Sequence, residues 1–325
     1  MTISVSVILP TFRRDELLQR CLTSLFAQEY EPSSYEIIVV DDARRQETRN
    51  LVESEREKTR RGFPSLRYIP AGNTHGPAAA RNCGWRAATG DIVAFTDDDC
   101  IPSPTWLKAG VAAFAKGVVG VSGKIIVPVP PVPTDYEYTV SRLEHSEFVT
   151  ANCFYLRDVM RLAGGFDEKF TAAWREDADL FFTLLKKNVK LVYAREAVVI
   201  HPVRYAPWGI SLREHKKCMF NALLYKKHPV LYRQRIQQLP PWDYYSIVCA
   251  SILLPFSVLY NLEYVTVGLL GVWMLMTGRF FFKRVRKTSR SFIHRAEMAV
   301  TSVMIPFLAV FWRAYGAIKF RVFFL

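Results

Sequence analysis

The sequence predicts an α/β fold with a mostly parallel sheet flanked by helices, followed by a C-terminal apolar helical region. Three observations carry this expectation. Short apolar runs alternate with segments of helical period through the first hundred residues, two of those runs end abruptly in acids, and three stretches beyond Pro241 carry no charge. Strand, helix and strand joined by connections of a few residues are the signature of a parallel sheet covered on both faces.

The elements follow in order. Residues 5–10, Val-Ser-Val-Ile-Leu-Pro, read as a strand, and residues 15–28 as a helix. In that helix Leu17, Leu18, Cys21, Leu22, Leu25 and Phe26 fall at helical spacing and form the expected buried stripe. Residues 36–40 are a second strand ending in Asp41 and Asp42, followed by a charged helix over 46–61 and a short strand over 66–69. Gly76-Pro77 opens a helix that runs to about Ala88, since proline suits the first helical position. The next apolar run, Ile92 to Thr96, stops at Asp97, Asp98 and Asp99. Beyond it, 104–116 reads as helix, 118–127 as strand, and Pro128 to Pro133 as a stiff extended connection. Residues 148–155 read as strand, 157–163 as helix and 176–187 as helix, and Val198-Val199-Ile200 closes a last apolar strand before His201.

Charge and hydropathy divide the chain. Residues 1–200 hold 25 Lys+Arg against 26 Asp+Glu, a net of −1, whereas residues 201–325 hold 18 against 4, a net of +14, so the formal +13 lies entirely in the second part. That part is also the most apolar. Residues 244–262 are 19 residues without charge, 264–278 another 15 and 298–312 a further 15, with a basic loop over 279–295 between the last two. A crossing helix needs about 20 apolar residues, so the first two runs suit a tight hairpin, and helices lying in or dipping into the interface fit the same pattern. A buried soluble helical domain is the alternative. Cations beside apolar helices fit an anionic membrane surface better than nucleic acid. The expected division is therefore residues 1–235 as a catalytic domain and 236–325 as a membrane-associated helical region.

The six cysteines form no Cys-x-x-Cys pair or metal-ligand spacing, which indicates a reducing compartment. The first residues lead straight into a strand with no signal-peptide pattern. No Gly-x-Gly-x-x-Gly follows the first strand, where Pro10-Thr11-Phe12-Arg13-Arg14 stands instead, so dinucleotide binding is not expected; no Gly-x-x-x-x-Gly-Lys loop occurs either.

The chemistry concentrates in the acids. Asp41-Asp42 and Asp97-Asp98-Asp99 place five carboxylates at the carboxyl ends of two strands, where open α/β sheets bind ligands. One carboxylate there can accept hydrogen bonds from a nucleobase or ribose, and others can hold a hard divalent ion such as magnesium against a diphosphate. An acidic turn in solvent has the same composition. Gly76 and the helix start after it can offer backbone N–H groups to phosphate. Arg81, one turn further on, either reaches phosphate or base or makes a structural salt bridge to one of these acids. Glu176-Asp177 opens a helix, which is favourable without any function; a positioned carboxylate is also what deprotonates an attacking hydroxyl.

Taken together, six blocks give the chain a family resemblance: Val7-Ile8-Leu9-Pro10-Thr11-Phe12-Arg13, Val39-Val40-Asp41-Asp42, Gly76-Pro77-Ala78-Ala79-Ala80-Arg81-Asn82, Phe95-Thr96-Asp97-Asp98-Asp99, Gly164-Gly165-Phe166-Asp167-Glu168 and Glu176-Asp177-Ala178-Asp179-Leu180. Over roughly residues 3–230 it resembles a family 2 glycosyltransferase of the GT-A fold, a Rossmann-like architecture. That resemblance implies an inverting transfer from a nucleotide-diphosphate sugar with a divalent metal, magnesium or manganese. It implies that Asp42 contacts the nucleobase and that Pro10, Thr11 and Arg13 line its pocket. It implies that Asp97 and Asp99 form an Asp-x-Asp motif with Asp99 the most direct metal ligand, and that Asp177 is the catalytic base. Asn152 is expected to face the donor sugar or acceptor, and Gly76, Arg81, Asp98 and Glu176 join the donor-binding candidates. His201 stands where similar enzymes often complete the metal site, although a lone histidine is also commonly structural. The Gln-x-x-Arg-Trp motif of processive members is missing; Arg213, Lys216 and Lys217 occupy roughly that region, so one sugar per encounter is expected. The acceptor implied by the apolar C-terminal region is a membrane lipid or lipid-linked glycan, with the protein at the cell membrane and its catalytic domain facing the cytoplasm. Two rivals are weighed. A nucleotidyltransferase needs a Gly-rich basic loop after its first strand, which is missing. A non-catalytic scaffold is expected to have lost part of the acid set, yet Asp42, Asp97, Asp99 and Asp177 are all present.

Overall fold

Val5–Thr11 forms β1 because its run of apolar residues can be buried on both faces, and Val7, Ile8 and Leu9 are fully enclosed in the computed structural model, which describes residues 5–58 and 62–324. Tyr35–Asp41 forms β2, buried along its whole length, and Ser65–Pro70 forms β3. Ile92–Phe95 is β4, Ile101–Pro102 β5, Val118–Ile126 β6, Cys153–Leu156 β7 and Lys190–Ile200 β8. They join in one sheet of order β3-β2-β1-β4-β7-β6-β8-β5. Within it β3, β2, β1 and β4 are mutually parallel, β7 runs antiparallel to both β4 and β6, β8 is parallel to β6, and β5 is antiparallel to β8. The sheet is thus mixed, its parallel half supplied by the first hundred residues.

The helices between these strands keep the expected period. Asp15–Phe26 buries Leu18, Cys21, Leu22 and Leu25, four of the six stripe residues. Gln46–Lys58 follows β2; the expected end at Arg61 lies outside the described residues. Pro77–Ala87 follows β3 and buries Ala78, Ala79, Ala80 and Trp85. Trp106–Ala112 and Arg157–Ala163 are shorter, and Glu176–Lys186 ends one residue before its expected limit. Residues 148–152 form a loop rather than the start of a strand: Phe148 takes a left-handed φ of 49° and stacks on Phe181 at 4.7 Å, so only Cys153–Leu156 pairs with β4. The segment after the prolines forms a helix, Asp135–Ser141, which proline content alone did not announce.

The chain divides into two compact units. One comprises residues up to Pro128 together with Ser141–Val203 and contains the whole sheet; the other comprises Val129–Val140 and the residues from Arg204 onward. In the second unit the short helices Ile210–Glu214, Phe220–Lys227 and Pro229–Arg235 precede three long ones, Trp242–Leu259, Glu263–Val285 and Phe292–Phe320. All three are long and apolar enough to cross a membrane, and they fit membrane association. Their charged residue Arg284 is buried but satisfied: its guanidinium donates to Asp135 at 2.8 Å, Thr301 at 2.6 Å and Ser302 at 3.2 Å.

Candidate active site at the carboxyl edge of the sheet

The acidic triplet does not project as a row. Cys100 N donates to Asp97 O at 3.0 Å, so the chain turns within the triplet and sends its three carboxylates in three directions. Asp98 turns inward. It is 2% exposed and accepts hydrogen bonds from the Thr11 hydroxyl at 2.7 Å and from Arg14 at 2.9 Å. This pair ties the end of β1 to the turn after β4, and burial outweighs its partners in raising the Asp98 pKa above the usual carboxylate range. Asp97 accepts from Arg81 at 2.8 Å and is the more open acid, its side chain 26% exposed. Asp99 faces His201, with Oδ1 3.6 Å from Nε2.

Arg81 joins two acids that lie far apart in the chain. It sits on helix Pro77–Ala87, is 3% exposed, and its second arm donates to Glu176 at 2.9 Å. Glu176 is the first residue of its helix, preceded by Arg175 in a left-handed conformation at φ 77°. Burial, reinforced by neighbouring Asp177, pushes the Glu176 carboxyl up to about 7 against the opposing pull of Arg81. Its Oε2 is buried and makes no hydrogen bond among the described residues, so no donor there stabilises the ionised form. Burial also raises Asp177, countered by the Ala178 N–H at 2.7 Å and by Arg175. Asp97, by contrast, is held below its ordinary value by Arg81, which outweighs the effect of burial. One cation therefore keeps one acid ionised while two others are poised nearer neutrality, an arrangement suited to accepting a proton.

At the neighbouring strand, Asp41 is wholly buried and fixes the turn by accepting from Ala43 N at 2.9 Å, Arg45 N at 2.6 Å and the Tyr68 hydroxyl at 3.1 Å. Asp42 is the more open acid. It accepts from Gly76 N at 3.0 Å and lies 3.3 Å from His75 Nδ1. The Gly76 N–H is therefore directed at Asp42 rather than outward to a phosphate. Gly76 has φ 104°, and a Cβ on it would lie 2.8 Å from Thr171 O, so both the backbone and the space require glycine. Pro10 is half-buried near the end of β1, Thr11 is committed to Asp98, and Arg13 is exposed with φ 55°, its guanidinium 5.4 Å from the Phe12 ring centroid.

Metal-ligating atoms gather on the other side of the turn. Asp99, Cys100 and His201 bring a carboxylate oxygen, a sulfur and an imidazole nitrogen within 4.8 Å of one another, all three residues being buried. Burial, with Asp97 and Asp99 nearby, raises the Cys100 thiol well above its ordinary pKa. His201 Nδ1 is buried without a hydrogen-bond partner among the described residues. The carboxylate oxygen is a donor that fits magnesium or manganese, and the imidazole nitrogen beside it favours a transition ion such as manganese over magnesium. Of the expected ligands, Asp99 and His201 thus come together, while Asp97 is held by Arg81.

The structure does not bring Asn152 to this group. It is fully buried; its amide accepts from the Trp106 indole at 2.8 Å and donates to Lys124 O at 2.8 Å and Ala197 O at 2.9 Å. Those bonds brace β6 and β8 and engage both ends of the amide within the protein. Arg14 was not singled out from sequence, yet it touches Asp98 and approaches Asp99 to 3.9 Å. Its place beside Arg13 was the one available signal.

A mixed α/β sheet whose parallel half presents acids at the carboxyl ends of neighbouring strands has the GT-A architecture. Residues 6–161, just under half of the chain, match Glycosyl transferase family 2. Among curated proteins it is similar to the glycosyltransferase AglE of Haloferax volcanii, 28% identical over 222 residues, covering 65% of this chain and 70% of the relative. It is also similar to the validoxylamine A glucosyltransferase of Streptomyces hygroscopicus subsp. limoneus, 25% identical over 274 residues, covering 70% of this chain but 57% of the relative. Among solved structures it resembles the Pyrobaculum calidifontis mannosyltransferase PcManGT in complex with GDP-Man and Mn2+, with TM-score 0.64, 18% identity, and coverage of 96% of this chain and 87% of that one.

Proposed function

We propose that this chain is an inverting, divalent-cation-dependent glycosyltransferase. It moves one sugar from a nucleotide-diphosphate sugar to a hydroxyl of a membrane-associated acceptor, a glycolipid or lipid-linked glycan. The observation that carries this reading is the Arg81 bridge: it sets Asp97, beside the candidate metal ligands, next to the helix start that bears Glu176 and Asp177. Donor-side and acceptor-side chemistry are thereby neighbours, as a direct displacement requires.

On this reading Asp42 accepts hydrogen bonds from the nucleobase, with Pro10, Thr11 and Arg13 around it. Asp99 and His201 would hold magnesium or manganese. A bound ion at that place neutralises charge developing on the leaving diphosphate. Asp177 takes the proton of the acceptor hydroxyl as its oxygen bonds to the anomeric carbon and the bond from that carbon to the diphosphate breaks. Catalysis is assigned within residues 1–235. The 236–325 region holds the protein at the cell membrane with the catalytic domain in the cytoplasm, a placement supported by the basic residues flanking the apolar helices.

The test is a panel of nucleotide sugars assayed for hydrolysis and transfer with magnesium or manganese. Asp99→Ala should lose metal-dependent donor turnover. Asp177→Asn should retain donor binding while transfer falls on the order of 10²–10⁴-fold. Metal-independent turnover, or none with any donor, overturns the reading, and normal transfer by Asp177→Asn removes Asp177 as the base.

A further inference from the structure

The last helix, Phe292–Phe320, has length and composition enough to cross a membrane, yet its surroundings argue for a different placement. One face of it is covered along nearly the whole length by the short helices that precede the apolar region. Glu297 accepts from Gly209 N at 2.8 Å near one end. Gly316 lies so close to Met219 that a Cβ there would meet its carbonyl oxygen at 2.4 Å. Lys226 Nζ donates to Phe320 O at 2.8 Å near the other end. From Glu297 to Phe320 the helix runs about 35 Å at 1.5 Å per residue.

The covering segment carries Arg213, Lys216, Lys217, Lys226 and Lys227, of which Arg213, Lys216 and Lys226 are exposed. A crossing orientation would carry these cations and their short, irregular connections through the hydrocarbon, where charge and unpaired backbone are both disfavoured. The opposite face is of another kind. Val300, Met304, Phe307, Phe311, Tyr315 and Ile318 are all exposed and recur at spacings of three and four, a single continuous apolar stripe. Exposed cations stand at its two ends, Arg290 and Arg295 before it and Lys319 and Arg321 after it.

The hairpin of Trp242–Leu259 and Glu263–Val285 differs. In the second of these helices only Thr277 and Arg284, toward its end, are buried, and Leu253, Phe256, Leu259, Val267, Leu270 and Met274 stand exposed around the hairpin's far half. That portion has apolar surface on every side, as insertion into lipid requires.

We propose that Phe292–Phe320 lies in the plane of the bilayer, its Val300–Ile318 stripe sunk to the headgroup–acyl boundary while the 242–285 hairpin inserts. The occupant of the stripe is the lipid surface: the apolar side chains take the acyl region and the terminal cations take the phosphate layer. This placement does not depend on the transfer reaction proposed above.

The experiment measures nitroxide depth on the full chain reconstituted into phosphatidylcholine–phosphatidylglycerol vesicles. Single cysteines are introduced in turn at positions 299–318 after Cys83, Cys218 and Cys249 are replaced by serine. Circular dichroism and vesicle flotation confirm that each labelled protein is folded and bound. The in-plane placement predicts immersion that oscillates with a period near 3.6 residues and peaks at Met304, Phe307 and Phe311, never deeper than about 10 Å. A smooth profile that deepens to one maximum near Met304–Phe307 is the signature of a crossing helix and overturns the proposal. Uniform aqueous accessibility of the stripe overturns it equally.

Discussion

Arg81 donates to Glu176 at 2.9 Å across 95 positions of sequence, and with its other nitrogen holds Asp97 at 2.8 Å. The pairing joins a helix that follows β3 to a helix that precedes β8, and both side chains are almost wholly enclosed. A buried ion pair broken from one side leaves the other charge without compensation, at a cost of about 3–5 kcal/mol. Arg81→Ala should therefore destabilise the protein by roughly that amount in chemical denaturation at pH 8. The loss should shrink at pH 5, where Glu176 takes up a proton. A pH-independent loss would mean that packing, not charge, dominates the site.

Glu176 itself makes stability depend on pH. Its carboxyl is raised from 4.5 to about 7, chiefly by burial. Between those values the native state binds more protons than the unfolded state, so stability falls as pH rises through the window. Ionisation of the buried carboxyl costs on the order of 3 kcal/mol once pH exceeds the native value. Denaturation midpoints of the wild type should decline from pH 5 to pH 8, and Glu176→Gln should flatten much of that decline. In the transfer assay the same substitution should leave the acid limb of the rate profile in place, because Glu176 is already neutral over the range in which Asp177 takes up its proton. A limb that moves would show that Glu176 is still ionised where Asp177 titrates.

The half of the sheet that carries the acids was legible because β1, β2 and β4 are apolar runs with sharp polar ends. The stripe of helix Asp15–Phe26 was legible for a similar reason: Leu18, Cys21, Leu22 and Leu25 follow one period. What the triplet does was not legible. A turn closed by Cys100 N and Asp97 O sends Asp98 inward, and no sequence spacing reports the direction of a side chain within a turn. Nor do the hydrogen bonds of Asn152 to Trp106, Lys124 and Ala197 follow from spacing, since the partners lie 28–46 positions away. Two-residue β5 escaped notice because its pairing depends on β8, a hundred residues away. The exposed stripe of Phe292–Phe320 was masked by the helix's largely apolar composition; burial of Met298, Ile305 and Ala309 and the packing of Met219 against Gly316 distinguish one face from the other.

His201 supplies a prediction with its own readout. Manganese titrated into the protein with a nucleoside diphosphate and followed by electron paramagnetic resonance should bind about tenfold or more weakly in His201→Ala. Cys100→Ser should bind as the wild type does, because manganese prefers hard oxygen donors and sulfur is a soft one. Equal weakening in both variants would point to a general loosening of the turn, and no weakening in His201→Ala would remove it from the metal site.

Gly76 tests whether the start of helix Pro77–Ala87 is as constrained as its geometry indicates. Alanine there would carry φ 104° and place its Cβ 2.8 Å from the Thr171 carbonyl oxygen, a backbone atom that no rotamer change can move. Gly117→Ala is the control: its φ is similar at 82°, but nothing lies within 4 Å of the added carbon. The control should lose about 1–3 kcal/mol from the backbone conformation alone. Gly76→Ala should lose more, and should also weaken nucleotide binding, since relief of the overlap pulls the Gly76 N–H away from Asp42 and releases that carboxylate from its position. Equal losses in the two variants, with nucleotide affinity unchanged, would show that the contact with Thr171 relaxes freely and that Asp42 needs no support from the loop.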